Sequence, residues 1–439
     1  MKLRLALLLP LVLTTATSCL SISRVDLSHV DTWYLQGDAK QAAVTYEKNG
    51  SDILDSQGRL VYSLDVGMLT HFAGDYARSN EYLGVAETLI AEAYTQSVTE
   101  NISRFIINDN AKTYPGEDYE DIYSNIFMSL NYQALGRTED AMVEIRRSSE
   151  KERLLIDKYS MLMEKSKSAK SDRIDGELQT ISFSKSALSN YLGMLYSDAL
   201  GNIGDRDYYR RSVLDAFAIQ PTLYPFPVPD SAENRPDPEI GKVRLEFIAF
   251  TGMGPTKFET VRQLYVSKNN YAKLALPILV PRNGRVDGVT VRLDNGVQVR
   301  LQRIEDLSRI AQDTFALRFQ SIYNRTVIRT MAKATGTAVL DTIADGARNS
   351  DEQGSESVAM ISDILSVFSS IFNQTSESAD LRISHYFPAV AWVGYVDVDP
   401  GLYEASFNFE SGSSTLRRQR TRILASPGSL NLHEGFCPL

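Results

Sequence analysis

Five carboxylates and two phenols fall between Asn108 and Asp121: Asp109, Glu117, Asp118, Glu120 and Asp121, with Tyr114 and Tyr119. Paired carboxylates can hold a hard cation such as Ca²⁺ or select a basic partner, and tyrosines supply rigid anchoring surface. A structural reading stands beside this one. Pro115 and Gly116 turn the chain, and the acids complement the N-terminus of the next helix. The expectation adopted is recognition of a partner through Asp109, Tyr114, Glu117, Asp118 and Tyr119, with no metal. A second candidate is Thr251-Gly252-Met253-Gly254-Pro255-Thr256-Lys257, which follows an apolar strand as a phosphate loop does. Its spacing departs from G-x-x-x-x-G-K-[ST], and Pro255 removes a backbone donor. A structural loop is the plainer reading, with Gly252, Gly254 and Lys257 kept as a small-ligand candidate. The four histidines, His29, His71, His385 and His433, form no metal-binding pair. No nucleophile elbow or Ser-x-x-Lys element suited to catalysis is found. Neither a cofactor nor a catalytic constellation is expected, and the chain reads as a non-enzyme.

The start of the chain carries a different chemistry. Lys2 and Arg4 precede an apolar run, Leu5 to Leu13, which is too short to span a bilayer core of about 30 Å. Ala16, Thr17 and Ser18 are small and lead to Cys19. This is the grammar of an export signal. Ala16-Thr17-Ser18-Cys19 also resembles a bacterial lipobox, with Ala16 standing where Leu is usual. The resemblance implies cleavage before Cys19 and its lipidation. Leu20, which is not Asp, implies outer-membrane sorting. An ordinary small-x-small cleavage fits the same bond. Cys437 is the second of two cysteines. If Cys19 is acylated, Cys437 stands alone; if not, the two can pair in an oxidising compartment. Without Lys2 and Arg4, 44 basic residues face 55 acidic ones, a net charge of −11. No long basic stripe is evident, and nucleic acid is not expected as a partner.

These residues need elements to position them. Residues 19–220, after a signal at 1–18, read as helical hairpins of tetratricopeptide type. The recurring signal is a glycine after an apolar helix, then a capping residue, then small residues. It occurs at Gly37-Asp38, Gly74-Asp75, Gly136-Arg137-Thr138 and Gly204-Asp205. The separations of 37, 62 and 68 residues make the period loose. Ala141, Ile145, Ser148, Glu152, Leu155, Tyr159 and Leu162 mark one long helix, and 165–175 reads as an exposed stretch. Six prolines between Pro221 and Pro238 mark a linker, 221–240, as the domain boundary. A C-terminal domain, 241–439, then shows strand patterns: 243–250, 274–280 and 389–398. A hairpin at 288–301 turns on Asn295-Gly296, and a strand at 402–409 follows Asp399-Pro400-Gly401. Helices are expected over 312–345 and 357–372. The apolar side of the second suits a core or interface better than a membrane, because a basic polar face is missing. The predicted fold class is α+β in two domains: all-α hairpins, then a mixed domain with antiparallel strands and a long helix.

The whole pattern resembles a family of poorly characterised bacterial lipoproteins with a tetratricopeptide-like first half and a β-containing second half. The resemblance rests on Asn108-Asp109-Asn110-Ala111-Lys112, Tyr114 and Gly116-Glu117-Asp118-Tyr119-Glu120. It continues in Leu130-Asn131-Tyr132-Gln133-Ala134-Leu135-Gly136 and Glu144-Ile145-Arg146-Arg147. A third patch runs from Gly241-Lys242-Val243 to Gly254-Pro255-Thr256-Lys257. It covers nearly the full chain and is most specific over 108–147. It implies a cell-envelope location, and neighbours of the family imply a part in envelope assembly. The expected function is a non-catalytic, lipid-anchored scaffold for envelope proteins, facing the periplasm. Regulation of peptidoglycan synthesis through a penicillin-binding protein is one alternative. A carbohydrate- or small-ligand-binding protein or an enzyme is another.

Overall fold

The computed structural model describes residues 25–99, 114–168, 182–267, 270–282, 284–319 and 379–439. The helical half contains α1 (Ser28–Leu35), α2 (Ala39–Lys48), α3 (Gly50–Phe72), α4 (Tyr76–Thr99), α5 (Asp118–Ala134), α6 (Thr138–Ser168), α7 (Ala187–Ala199) and α8 (Ile203–Ile219). Successive pairs pack as hairpins: α1 on α2, α3 on α4, α5 on α6 and α7 on α8. One local device makes every hairpin turn. At Gly136 (φ +73°) the glycine N–H donates to Gln133 O (2.9 Å) and the Arg137 N–H to Tyr132 O (2.8 Å). These two bonds close a Schellman motif, which needs a residue free to enter the left-handed region. The same pair of bonds ends α1 at Gly37, α3 at Gly74 and α7 at Gly201. The last instance corrects the sequence reading. The breaking residue is Gly201, not Gly204; Asn202 caps the next helix through Asp205 N (3.2 Å), and Gly204 lies inside α8.

A short helix, α9 (Asp230–Glu233), precedes the sheet-rich half. That half contains β1 (Val243–Thr251), β2 (Thr256–Ser267), β3 (Asn270–Val280), β4 (Gly288–Leu293), β5 (Gln298–Asp306), a helix α10 at 307–319, β6 (Val390–Val398), β7 (Gly401–Ser411), β8 (Ser414–Ala425) and β9 (Asn431–Cys437). The fold class is α+β, helices first and sheet second. The helix expected from 312 starts at 307; its continuation past 319, and the whole of 357–372, lie outside the described residues. The expected Asn295-Gly296 turn joins β4 to β5, with Gly296 at φ +88°.

Seven strands form one sheet in the order β8-β7-β4-β5-β6-β1-β9, and β2 and β3 form a separate ribbon. The sheet curls until its edge strands meet, and Phe436 N donates to Gln419 Oε1 (2.8 Å) across the β9–β8 seam. Its inner face encloses Leu245, Phe247, Val291, Leu301, Trp392, Phe407, Ile423 and Cys437. The period-two geometry of β1 then sends Ile248 and Phe250 out of the opposite face. There they join Phe127, Tyr34, Phe387 and Phe436 in the core of the helical half. Phe72 of α3 stacks on Phe436 of β9 at 3.8 Å. Helices and sheet therefore share one continuous core.

That sharing changes the role of the proline-rich segment. It was expected to be a linker between separately folded units. Residues 221–223 turn on Gln220 O and the prolines keep 224–229 out of helix, but Leu223, Tyr224, Ser231 and Ala232 are buried, and Asp230 N donates to Gln302 Oε1 (2.8 Å). The segment is packed between the halves. The two halves should consequently unfold together. In a Trp33→Phe chain, fluorescence reports Trp392, which lies in the sheet core and donates to Thr251 Oγ1 (2.8 Å). Its thermal transition should coincide with the loss of helical ellipticity. Two separated midpoints would show that the halves are independent.

Candidate functional site

The acidic segment and the glycine loop, 140 residues apart in sequence, meet in one place. Helix α5 begins at Glu117, which takes an extended backbone as N-cap. Glu120, at the third helical position, reaches back to Glu117 N (2.7 Å), half of a capping box. It also accepts from Tyr114 Oη (3.0 Å) and from Ser384 N (2.6 Å) of the other half. The carboxylate of Glu117 takes Lys257 Nζ in a close ion pair and Arg318 Nη1 at 3.2 Å. Lys257 also donates to Arg382 O (2.9 Å) and lies over the Tyr114 ring. Lys257 and Glu117 are both almost fully buried, with side chains 4% and 3% exposed.

The sequence expectation is corrected here. Tyr114, Glu117 and Tyr119 do not face solvent where an external partner would meet them; all three are buried. The basic partner that the carboxylates select is Lys257, with Arg318, of the same chain. Tyr119 packs edge-on against Phe387 (5.9 Å). Asp118 is half-buried and held by Lys158 (2.7 Å) and the Tyr159 hydroxyl on α6. Burial pushes the Asp118 carboxyl up, but Lys158 and Arg318 outweigh it and hold the group below its usual range. Asp109 lies outside the described residues, as does Cys19.

The glycine loop is built to pack backbone. Gly252 has φ +70°, and its N–H donates to Cys437 O (2.9 Å). Gly254 N donates to Phe387 O (2.6 Å), and a Cβ there would sit 3.2 Å from that oxygen. The N–H groups that would cradle a phosphate are thus taken inside the fold. Arg282 Nε donates to Gly254 O (2.5 Å), fastening the loop from outside.

Residues with no motif around them carry the same pattern across the whole contact between the halves. Asp65 of α3, fully buried, accepts from Tyr46 Oη (2.8 Å), Ser384 Oγ (2.7 Å) and His385 N (2.7 Å). In the other direction, Glu305 of β5 accepts from Tyr123 Oη, Ser186 Oγ (2.7 Å), Leu188 N (2.8 Å) and Tyr224 Oη (2.9 Å), so it caps α7 from the sheet. Glu246 of β1 binds Tyr191 Oη (3.2 Å) and Arg235 (2.6 Å). Glu434 of β9 pairs with His71 Nε2 (3.0 Å), whose Nδ1 meets Asn131 Oδ1 (2.6 Å). Burial pushes His71 down, and Glu434 more than reverses it, leaving the imidazole above its ordinary value. Sequence reasoning passed over these carboxylates. The available signal was a Glu inside an apolar strand run, at 246 and again beside Ile304.

Chemically, this arrangement matches donors to acceptors within the chain and fixes the halves against each other. Among the described residues no group of three or more His, Cys, Asp and Glu side chains is placed to hold a metal ion. No helix among them is long and apolar enough to cross a membrane. Cys437 is a free, buried thiol, pushed up by burial. No known family model, curated protein or solved structure matches the chain.

Two predictions follow from burial. Glu117→Gln strands the Lys257 ammonium and should cost roughly 3–5 kcal/mol in urea denaturation. Adding Lys257→Met should restore a large part of it; equal losses in the single and double variants would mean the pair is not coupled. Glu152, buried at α6 and accepting from Ser186 N (3.1 Å), is pushed up to about 8 by burial, with Glu305 adding to it. A folded-state value above the unfolded one gives stability that is complete below the usual carboxylate range and lost as pH rises through about 8. Glu152→Gln should therefore match wild type near pH 5 and exceed it by about 1–2 kcal/mol above pH 8. A stability difference independent of pH would refute the assignment.

Proposed function

We propose that the chain is an exported, lipid-anchored envelope protein that acts without catalysis as a scaffold, gripping a partner protein with its helical hairpins. The anchor reading rests on the basic residues, apolar run and small triplet before Cys19, together with the resemblance over 108–147 to envelope lipoproteins. The observation that carries the scaffold reading is the outer stripe of α8. A terminal hairpin of a helical stack normally turns a polar face to solvent. Here Tyr208 (57% exposed) and Ile219 (60%) lie on one face of α8, and Ile203 is exposed at its start. A groove of about 260 Å³ opens beside Tyr208, lined also by Lys185, Arg211, Ser212, Leu214 and Asp215. An aromatic anchor, aliphatic rim and mixed charges are the composition of a protein contact. The partner surface thus moves from the acidic segment, which is occupied internally, to the last helix of the stack.

Cross-linking in intact envelopes followed by fractionation tests both parts. Wild type should sediment with membranes and carry a cross-linked envelope protein. Tyr208→Ser with Ile219→Ser should still sediment but lose that adduct, whereas Cys19→Ala should move to the soluble fraction when envelopes are washed in high salt, which releases charge-held protein but not an acylated chain. An adduct that survives the α8 changes would overturn the proposed grip. A Cys19→Ala chain that stays with membranes through the salt wash would overturn the anchor.

A further inference from the structure

The curled sheet has one part of its outer face that no helix among the described residues covers. Strands β5, β4, β7 and β8 lie side by side there, and their outward positions are fixed by register: Arg300↔Thr290, Thr290↔Asn408 and Asn408↔Arg418 in one row, then Gln298↔Arg292, Arg292↔Ser406 and Ser406↔Arg420 in the next. The following row pairs Glu404 with Arg422, and the one after that pairs Leu402 with Leu424. Five arginines, Arg292, Arg300, Arg418, Arg420 and Arg422, thus share a face with two strand carboxylates, Glu404 and Glu410. All five are exposed. Arg300 pairs with Glu410 (3.1 Å), and Arg422 stands 3.8 Å from Glu404 with both largely in solvent. Arg418 Nε lies on Asn408 Oδ1 (2.7 Å). Arg292 and Arg420 make no side-chain hydrogen bond or ion pair with another described residue. A chain of net charge −9 has gathered a positive field on one face of the sheet.

Charge on an edge strand also serves to block edge-to-edge pairing. That accounts for β8 but not for Arg292 and Arg300, which stand on the interior strands β4 and β5. Nor does it account for the directly paired leucines: Leu402 is 68% exposed and Leu424 62%. At the same end of the sheet, where β6 turns into β7 and Lys242 reaches Asp399 (2.9 Å), Ile240 stands fully in solvent before β1. Rows of guanidinium groups that end in exposed aliphatic side chains match the layering of a bilayer surface. Guanidinium forks pair with phosphate oxygens, and the leucines reach the boundary where acyl chains begin. Guanidinium groups spread across the width of four adjacent strands favour a broad anionic surface over a single extended chain, which would follow one groove.

We infer that the arginine-rich outer face of β4, β5, β7 and β8, with Leu402 and Leu424 at its end, is a docking surface for phosphate-bearing anionic lipid headgroups. This rests on the envelope location proposed above, but not on the acyl anchor. A polybasic surface attracts an anionic leaflet on its own account, whatever acyl chains are attached elsewhere.

The test uses the full chain carrying Cys19→Ala, so that no acyl chain contributes, in co-sedimentation with vesicles. One set is phosphatidylcholine alone, and the other contains about 30 mol % phosphatidylglycerol to give the anionic potential. Binding is expected only to the anionic set and should weaken as salt is raised. Arg292→Gln with Arg420→Gln should lower the affinity roughly tenfold or more, since each cation near an anionic surface contributes substantially. Neither side chain bonds to another described residue, so the fold is expected to stay intact, which circular dichroism checks. Leu402→Ser with Leu424→Ser should weaken binding while leaving its salt dependence. Equal binding to both vesicle sets, or wild-type affinity in the arginine variant, overturns the inference. So does loss of anionic-vesicle binding to soluble polyglutamate at matched charge, which would assign the face to an acidic polypeptide. Failure of the anchor reading shows separately, as wild-type chain released from envelopes by a high-salt wash.

Discussion

A carboxylate buried between two halves of a chain obliges the opposite half to supply its donors. Here the obligation runs both ways. Asp65, Glu117 and Glu120 of the helices are answered by Ser384, His385, Lys257 and Arg318. Glu246, Glu305 and Glu434 of the sheet are answered by Tyr191, Tyr123, Ser186 and His71. An ionised group left unmatched in such a place costs several kcal/mol, whereas apolar contact is forgiving about direction. The shared core brings the halves together, and the carboxylates determine how they sit.

This constraint reaches into the local path of the backbone. Leu301 faces the sheet core, so strict alternation along β5 would send residue 305 the same way. A bulge between Arg303 and Glu305 breaks the alternation. Ile304 then lies in the helical core, and Glu305, opposite Ala391, turns to the same side and caps α7. Strand β1 is buried on both faces for a related reason, one face being barrel interior and the other helix contact. The proline-rich segment follows suit. Prolines forgo N–H donors that a packed extended segment could not satisfy, and Tyr224 within it contributes a fourth donor to Glu305.

How much of this could be read from the sequence depended on how local the cause is. The hairpin breaks were legible because a Schellman turn is made by residues within six of each other. The exception, Gly201 for Gly204, arose because both glycines flank the capping Asn202 and only the folded backbone distinguishes them. Strand β1 and the β4–β5 hairpin were legible from alternation and an Asn-Gly turn. Strand β8 was not: its sequence, STLRRQRTRILA, puts arginine where an outward face meets solvent and leaves little apolar periodicity. Strand β9 was hidden by its parallel pairing to β1, a contact nearly 190 residues away. The acidic segment was legible as a place of consequence but not as an interior one. Its charge suggested an external partner because nothing local reveals that Lys257, 140 residues on, supplies the matching cation.

Internal pairing also governs what remains for the outside. Lys257, Arg235 and Arg382 are engaged in ion pairs, and Arg282 is committed to the backbone carbonyls of Gly254 and His385. Arg292, Arg300, Arg418, Arg420 and Arg422 are not drawn inward in this way, since the strand positions they occupy face away from the helices, whereas Arg417 of β8 donates to Gln36 O and Gly37 O of the helical half. The α8 stripe lies on the helical half and the arginine face on the sheet half. A flexible joint between the halves would let a partner held at α8 sample any distance from whatever the sheet touches, and the link would carry only the effective concentration of a tether. Six carboxylate clamps and a common core remove that freedom. Under the proposed reading, a protein bound at α8 is held at one height and orientation above the lipid surface, which is the mechanical difference between a scaffold and a tether.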